Sequence, residues 1–208
     1  MTPLLVATRS RGKQAELQRL LAPLGRQIVF PADIGLTESA EEAGLEVFDS
    51  FEENARAKAR WFAAQSGLDA LADDSGLEVD ALGGAPGVHS KRFAGREGPD
   101  HEVSAANNAE LLRRLEGVEE RDRAARYRCV LVACPGSRVP LGGVGLVAQG
   151  VTTGRILTAA QGTAGFGYDP LFWSDDLRMS FGDASPEAKG RVSHRGRAVE
   201  ALIRALSS

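Results

Sequence analysis

Five short stretches of this chain carry residue types that chemistry needs. The first is Thr8-Arg-Ser-Arg-Gly-Lys13, where Thr8 and Ser10 offer hydroxyls and Arg9, Arg11 and Lys13 offer cations around Gly12. Such a turn ahead of a helix makes a phosphate cradle, because a helix start presents unpaired N–H groups and the positive end of its dipole. The glycine spacing is not that of a Walker loop. The plainer reading has Ser10 capping a helix. The second is acidic: Glu41-Glu42, and further on Asp73-Asp74 followed by Ser75-Gly76. Acids at the C-terminal end of a strand often face a ligand crevice in α/β folds. Two or three carboxylates brought together bind Mg²⁺, which offsets phosphate charge and activates water. An ordinary turn with solvated acids is the competing reading.

The third stretch puts Asn54 and Lys58 four residues apart, on one face of a helix. Both can reach a ligand, or Lys58 can simply sit near Glu53 on an exposed face. In the fourth, Phe166-Gly167-Tyr168-Asp169-Pro170 follows Gly162 and Gly165. An aromatic ring in a glycine-rich loop can stack on a base, and Asp169 can accept from ring nitrogens; a tight turn with a core aromatic would look the same. The fifth is Lys189 with Ser193-His194-Arg195. Lysine and arginine meet phosphates or carbonyl oxygens, and histidine can donate to an exocyclic oxygen. Otherwise Ser193 caps a helix and the two cations lie on the surface.

These groups need elements to hold them. The apolar run Leu4 to Ala7 reads as a buried strand, and Thr8 to Gly12 as a polar turn. Lys13 to Leu24 has apolar residues at helical spacing, closed by Gly25. Gln27 to Phe30 reads as a second strand, Thr37 to Gly44 as an acidic loop, and Phe51 to Ser66 as an alanine-rich helix ended by Gly67. Leu68 to Asp73 reads as a strand broken by Asp74-Ser75-Gly76, and Gly83 to Gly87 as a loop. Asn107 to Leu115 is helical in pattern, Tyr127 to Ala133 and Gly142 to Ala148 read as paired strands, Thr163 to Pro170 as a glycine-rich loop, and Gly196 to Leu206 as a closing helix. Early alternation of strand and helix, then a hairpin-like region, predicts a mixed-sheet α/β protein with two lobes and a cleft.

The 208 residues suit one large domain or two closely packed lobes. A net charge of -3 argues against a nucleic-acid polymer as partner, since such proteins carry a basic surface, but a small anion needs no more than a local cluster of cations. Cys129 and Cys134, in an apolar run, read as small buried residues rather than a redox pair, and the three scattered histidines supply no zinc set. The N-terminal apolar run is too short for a signal segment, and no stretch approaches the roughly 20 apolar residues of a membrane helix, so the cytoplasm is the expected location.

In order along the chain, Leu5-Val-Ala-Thr-Arg-Ser-Arg-Gly-Lys13, Phe51-Glu-Glu-Asn-Ala-Arg-Ala-Lys58, Ala72-Asp-Asp-Ser-Gly-Leu77, Gly83-Gly-Ala-Pro-Gly-Val88, Gly165-Phe-Gly-Tyr-Asp-Pro170 and Ser193-His-Arg195 together resemble the inosine/xanthosine triphosphate pyrophosphatase (ITPase) family. The resemblance covers nearly the whole chain, 1–208, as a single two-lobed domain. It implies an α/β fold with a long mixed sheet flanked by helices and a central cleft. It also implies a homodimer, and cleavage of noncanonical purine nucleoside triphosphates (ITP, dITP, XTP) between the α and β phosphates.

Carried over by position, Thr8, Arg9, Ser10, Arg11, Gly12 and Lys13 would hold the triphosphate with help from Lys58. Glu42 and Asp74 would hold Mg²⁺, with Glu41 the second choice for the first of these. Asp74 would also be the base toward water, and Ser75 would touch substrate. Phe166, Gly167, Tyr168 and Asp169 would contact the base, with Phe166 stacking, and Lys189, His194 and Arg195 would read the purine edge. Two positions depart from the family: Ser10 stands where asparagine is usual, which predicts a weaker phosphate or metal contact, and Lys91 stands where alanine is usual. A Maf-like nucleotide pyrophosphatase is a second enzyme reading, against which the Ser-His-Arg segment argues. A nucleotide-binding module without catalysis is a third, and it would have no need of Asp74 and Glu42.

Overall fold

The structure, a computed structural model, describes residues 2–136 and 145–207. Strand β1 (Leu4–Val6) is buried on both faces, as the short unbroken apolar run requires. It pairs in parallel with β2 (Ile28–Val29) on one side and β3 (Asp69–Val79) on the other, in the register Leu4↔Asp69, Leu5↔Ala70, Val6↔Leu71. With β4 (Ala124–Cys134), β5 (Leu146–Ile156), β6 (Phe172–Ser174) and β7 (Met179–Ser180), these strands form a seven-stranded sheet ordered β2-β1-β3-β4-β5-β6-β7. The β5–β6 and β6–β7 pairs are antiparallel, so the sheet is mixed as expected.

Helix α1 spans Arg11–Leu20, starting two residues before the predicted Lys13 and stopping before Leu24. Pro23 ends it: a ring without an N–H favours a fresh start, and Ala22–Leu24 forms a separate tight turn closed by Gly25 at φ 62°. The acidic loop contains a single helical turn, α2 (Ala40–Ala43), capped by Ser39, whose Oγ accepts from the Glu42 N–H. Helix α3 (Phe51–Ser66) has its predicted limits, with Ser50 capping one end and Gly67 in the left-handed conformation at the other.

The expected break at Asp74-Ser75-Gly76 is absent: β3 runs through it to Val79. Local turn chemistry loses here to tertiary partners, since the Asn54 amide holds Asp74 and the Ser90 hydroxyl accepts from the Leu77 N–H. Helix α4 (Asp100–Arg114) begins seven residues before the predicted Asn107. β5 begins at Leu146, and the predicted strand start at Gly142 lies outside the described residues. Helix α5 (Pro186–Val192) was not foreseen, and α6 (His194–Leu206) takes in His194 and Arg195 as its first residues.

The chain divides into two compact units, 1–74, 129–150 and 198–208 forming one and 75–128 and 151–197 the other. The core of the first gathers Leu4, Val6, Leu17, Leu21, Leu71, Leu131, Val199 and Leu202. The core of the second gathers Leu77, Val79, Leu111, Leu115, Tyr127, Ile156, Phe172 and Phe181. Cys129 and Cys134 are buried free thiols, in keeping with the plainer reading. Among the described residues no helix is long and apolar enough to cross a membrane.

Candidate active site

Parallel pairing in register runs β1 and β3 in the same direction, and β1 ends while β3 continues. Thr8 therefore leaves β1 where Asp73 and Asp74 follow Leu71 along β3; the Ala7 N–H still donates to the Leu71 carbonyl, 2.8 Å away. The turn after Thr8 is tied by its own backbone: the Ser10 N–H donates to Thr8 Oγ1 at 3.3 Å and the Gln14 amide to the Thr8 carbonyl at 3.0 Å. Ser10 stands at the N-cap of α1, but its side chain makes no cap hydrogen bond among the described residues. The first turn of α1 holds no acid; Arg11, Gly12 and Lys13 occupy it. Cations at the positive end of a helix dipole oppose it, and an anion bound there removes the conflict.

Successive side chains of a strand point to opposite faces, which separates the two aspartates. Asp73 meets Lys13, whose Nζ is 2.5 Å from Oδ1, and the Cys129 thiol lies 3.6 Å from Oδ2. Asp74 turns to α3: its Oδ2 accepts from the Asn54 amide at 3.1 Å, and its Oδ1 lies 3.6 Å from Lys58 Nζ. Asn54 also clasps the Phe48 backbone, accepting from its N–H and donating to its carbonyl. Lys58 Nζ donates to Glu46 Oε1 and to the Asp73 carbonyl, both at 2.6 Å. The expected face of Asn54 and Lys58 is thus buried and engaged, and Glu46 rather than Glu53 is the lysine's partner.

Burial pushes the Asp74 carboxyl above the ordinary carboxylate range; Lys58, Lys13 and the Asn54 amide counter this and Glu46 adds to it. For Lys58, burial is the largest single influence and favours the neutral amine, yet the charges of Glu46, Asp74 and Asp73 outweigh it and raise its pKa. A carboxyl that holds its proton more tightly than usual, beside a firmly charged ammonium, is suited to accept a proton from water.

Arg9, expected at the phosphates, is paired with an acid in this structure. Its Nε and Nη2 each donate to one Glu42 oxygen at 2.7 Å, and Nη1 and Nη2 both reach the Leu36 carbonyl at 3.1 Å. Glu41 is exposed on α2, and Arg11 is exposed on α1. For Mg²⁺, which takes hard oxygens and commonly one or two carboxylates beside substrate phosphate and water, the donor chemistry fits. Asp74 and Glu42 offer oxygen alone, and each already faces a cation of the chain. Among the described residues no group of three or more His, Cys, Asp or Glu side chains converges as a metal site.

The second unit holds the aromatic and basic residues. Asp169 is the hub: Oδ2 accepts from the Phe166 N–H at 2.7 Å and lies 2.5 Å from Lys189 Nζ. That oxygen is committed to the protein, so Asp169 shapes the loop and anchors Lys189. Gly165, at φ 76°, is required here, because a Cβ would lie 2.1 Å from Asp169 Oδ2. The half-buried Phe166 ring has Lys189 Nζ 5.0 Å and the Arg195 guanidinium 5.8 Å from its centre. Gly167 accepts from the Asn108 amide through its carbonyl.

Tyr168 is buried with its hydroxyl donating to the Ser90 carbonyl at 2.8 Å, and burial pushes its phenol well above the ordinary value. It is a core residue, so its expected contact with a base is not what its position favours. His194 stacks on Tyr127 with ring centres 4.6 Å apart, and Arg195 donates to Ser75 Oγ at 2.9 Å. Lys189, His194 and Arg195 are 5%, 4% and 2% exposed, which rules out the surface reading of this cluster. Sequence reasoning missed Glu46, Cys129, Tyr127 and Asn108. Glu46 alone left a signal, as an acid eight residues before Asn54 and twelve before Lys58.

The first unit thus has a helix start crowded with cations, beside buried and lysine-paired carboxylates, an arrangement suited to phosphate chemistry, and the second carries a ring flanked by buried donors. The chain belongs to the Ham1 family, whose model matches residues 4–205. A dITP/XTP pyrophosphatase of Thioalkalivibrio sulfidiphilus is 46% identical over 203 residues, 98% of this chain and 97% of that protein. One from Desulforamulus reducens is 44% identical over 206 residues, 98% and 95% of the two chains. A HAM1 protein structure from Coxiella burnetii superposes with a TM-score of 0.82 at 35% identity, covering 100% of this chain and 99% of the other. A nucleoside-triphosphatase / dITP/XTP pyrophosphatase from Mycobacterium abscessus gives 0.69 at 38% identity, covering 97% and 98%. The family match favours the first enzyme reading over the Maf-like one.

Proposed function

We propose that the protein is a Mg²⁺-dependent pyrophosphohydrolase that cuts noncanonical purine nucleoside triphosphates (ITP, dITP and XTP) to the monophosphate and pyrophosphate, cleansing the nucleotide pool. The observation that carries the reading is Asp74, buried, fixed by Asn54 and set against Lys58 on the strand that also carries Lys13's partner. The first turn of α1, with Thr8, Ser10, Arg11, Gly12 and Lys13, holds the triphosphate; Lys58 assists. Asp74 orients the attacking water and takes its proton as the bond between the α and β phosphates breaks and pyrophosphate leaves. Asp74 and Glu42 would hold Mg²⁺, which would supply neutralisation of the phosphate charge. Phe166 stacks on the base, and Lys189, His194 and Arg195 present donors to the 6-oxo group. Adenine would set its amine against those donors, leaving buried groups unpaired at a cost that discriminates strongly. Ser75 contacts substrate while accepting from Arg195. The enzyme acts as one functional domain and as a homodimer in the cytoplasm.

The test is pyrophosphate release from ITP, XTP, GTP and ATP, with Mg²⁺ or with EDTA. Fast release from ITP and XTP that EDTA abolishes is expected, with little from ATP. Equal rates on ITP and ATP would remove the base-reading role of the second unit, and no release from any of them would sink the enzymatic reading.

A further inference from the structure

The Arg9–Glu42 pair is the best-formed ion pair near the phosphate turn, and it joins two residues with separate expected tasks. The guanidinium fork meets the carboxylate edge to edge, one N–H on each oxygen at 2.7 Å, and the remaining reach goes to the Leu36 carbonyl. Glu42 is 14% exposed at its side chain and Arg9 26%, so water screens the pair incompletely. The hydrogen bond to Glu42 raises the guanidinium's pKa, outweighing burial, which lowers it. A side-on fork occupies the syn lone pair of each oxygen, and the anti pairs remain. Mg²⁺ at about 2.0–2.1 Å would take either a syn position, where a guanidinium N–H already lies, or an anti position beside the guanidinium's charge, which repels it.

We propose that Arg9 and a divalent cation compete for the oxygens of Glu42, which makes Arg9 a positioning residue for metal loading and a phosphate contact only after it has been displaced. The inference rests on the reading of Glu42 as a metal ligand. It gives a reason for a metal to bind together with nucleotide: the released guanidinium is one residue from Ser10, at the start of α1, where phosphate charge would replace the carboxylate it gave up.

Mn²⁺ binding to the full-length, nucleotide-free protein, read by the electron paramagnetic resonance of free Mn²⁺, tests this without reference to turnover. Arg9→Gln and Arg9→Lys should each bind Mn²⁺ about tenfold more tightly than wild type, the yield of losing one strong charged hydrogen bond. Glu42→Gln should bind more weakly, and adding Arg9→Lys to it should change nothing further. If Arg9→Gln tightens binding and Arg9→Lys stays at the wild-type value, net charge explains the effect and the competition is refuted. Weaker binding by both Arg9 variants would make Arg9 a builder of the site and overturn the proposal as well. If Glu42→Gln binds Mn²⁺ as wild type does, it is the metal assignment of Glu42 that fails, and the competition falls with it.

Discussion

At the scale of single residues, the chemistry concentrates on Asp74. Replacing it by asparagine keeps its shape and its amide contact while removing the base. We expect Asp74→Asn to lower kcat by about 10²–10⁴-fold, the usual worth of a general base, with nucleotide affinity nearly intact in equilibrium binding. Turnover at the wild-type rate would show that the proton goes elsewhere. The donors of the second unit answer to a different readout. His194→Ala and Arg195→Ala should raise KM for ITP more than they lower residual cleavage of ATP, because the lost partners face an oxygen that ATP lacks. An equal effect on both nucleotides in steady-state kinetics would contradict this. Arg195 is nearly fully buried, so its variant should be compared at a temperature where both proteins are folded.

At the scale of elements, the loop from Gly162 to Pro170 shows how little freedom the base-contacting segment has. Gly165→Ala places a methyl group against Asp169 at a backbone angle that L-residues avoid. It should cost about 1–3 kcal/mol in denaturant unfolding and should also loosen selectivity by disturbing the anchor of Lys189. Tyr168 on the same loop offers a pH test. Its folded pKa is raised, so its contribution is fully present below the unfolded value of 10.0 and is lost as pH rises beyond it. Tyr168→Phe should be less stable than wild type at neutral pH by about 1 kcal/mol for the lost hydrogen bond, and the gap should close above pH 10. A gap that stays constant into alkali would mean that the phenol ionises equally well in the folded chain.

These same elements mark the reach of sequence reasoning. β1 and α3 were legible because an unbroken apolar run and a capped alanine-rich stretch act locally. Asp74-Ser75-Gly76 was misread as a turn because its continuation as a strand depends on Asn54 and Ser90, 20 and 13 residues from the groups they hold. β6 and β7 have three and two residues, too few to display a period. The candidate stretches are visible in the sequence, but each has an innocuous alternative, and the family resemblance decides between the two. The pairings of Arg9 with Glu42 and of Asp169 with Lys189 are long-range contacts that no spacing announces.

At the scale of the whole molecule, each unit is assembled from chain segments far apart in sequence. The core of the first unit closes with Ala198, Val199 and Leu202 from α6, against Leu4, Val6 and Leu17 from the other end of the chain. Leu202→Ala, at a position 1% exposed, should destabilise the protein by about 2–5 kcal/mol and should impair phosphate binding at α1 in the same thermal range, although Leu202 lies nearly two hundred residues from that turn. A variant that unfolds α6 while sparing the binding of inorganic triphosphate would argue against this closure. The arrangement also has a consequence for biosynthesis. The phosphate turn leaves the ribosome well before α6, yet the core beneath it stays open until α6 has been translated and freed from the exit tunnel. Nascent chains stalled before Ala198 should therefore neither resist protease around α1 nor retain nucleotide, so a segment made early matures only when a much later one arrives.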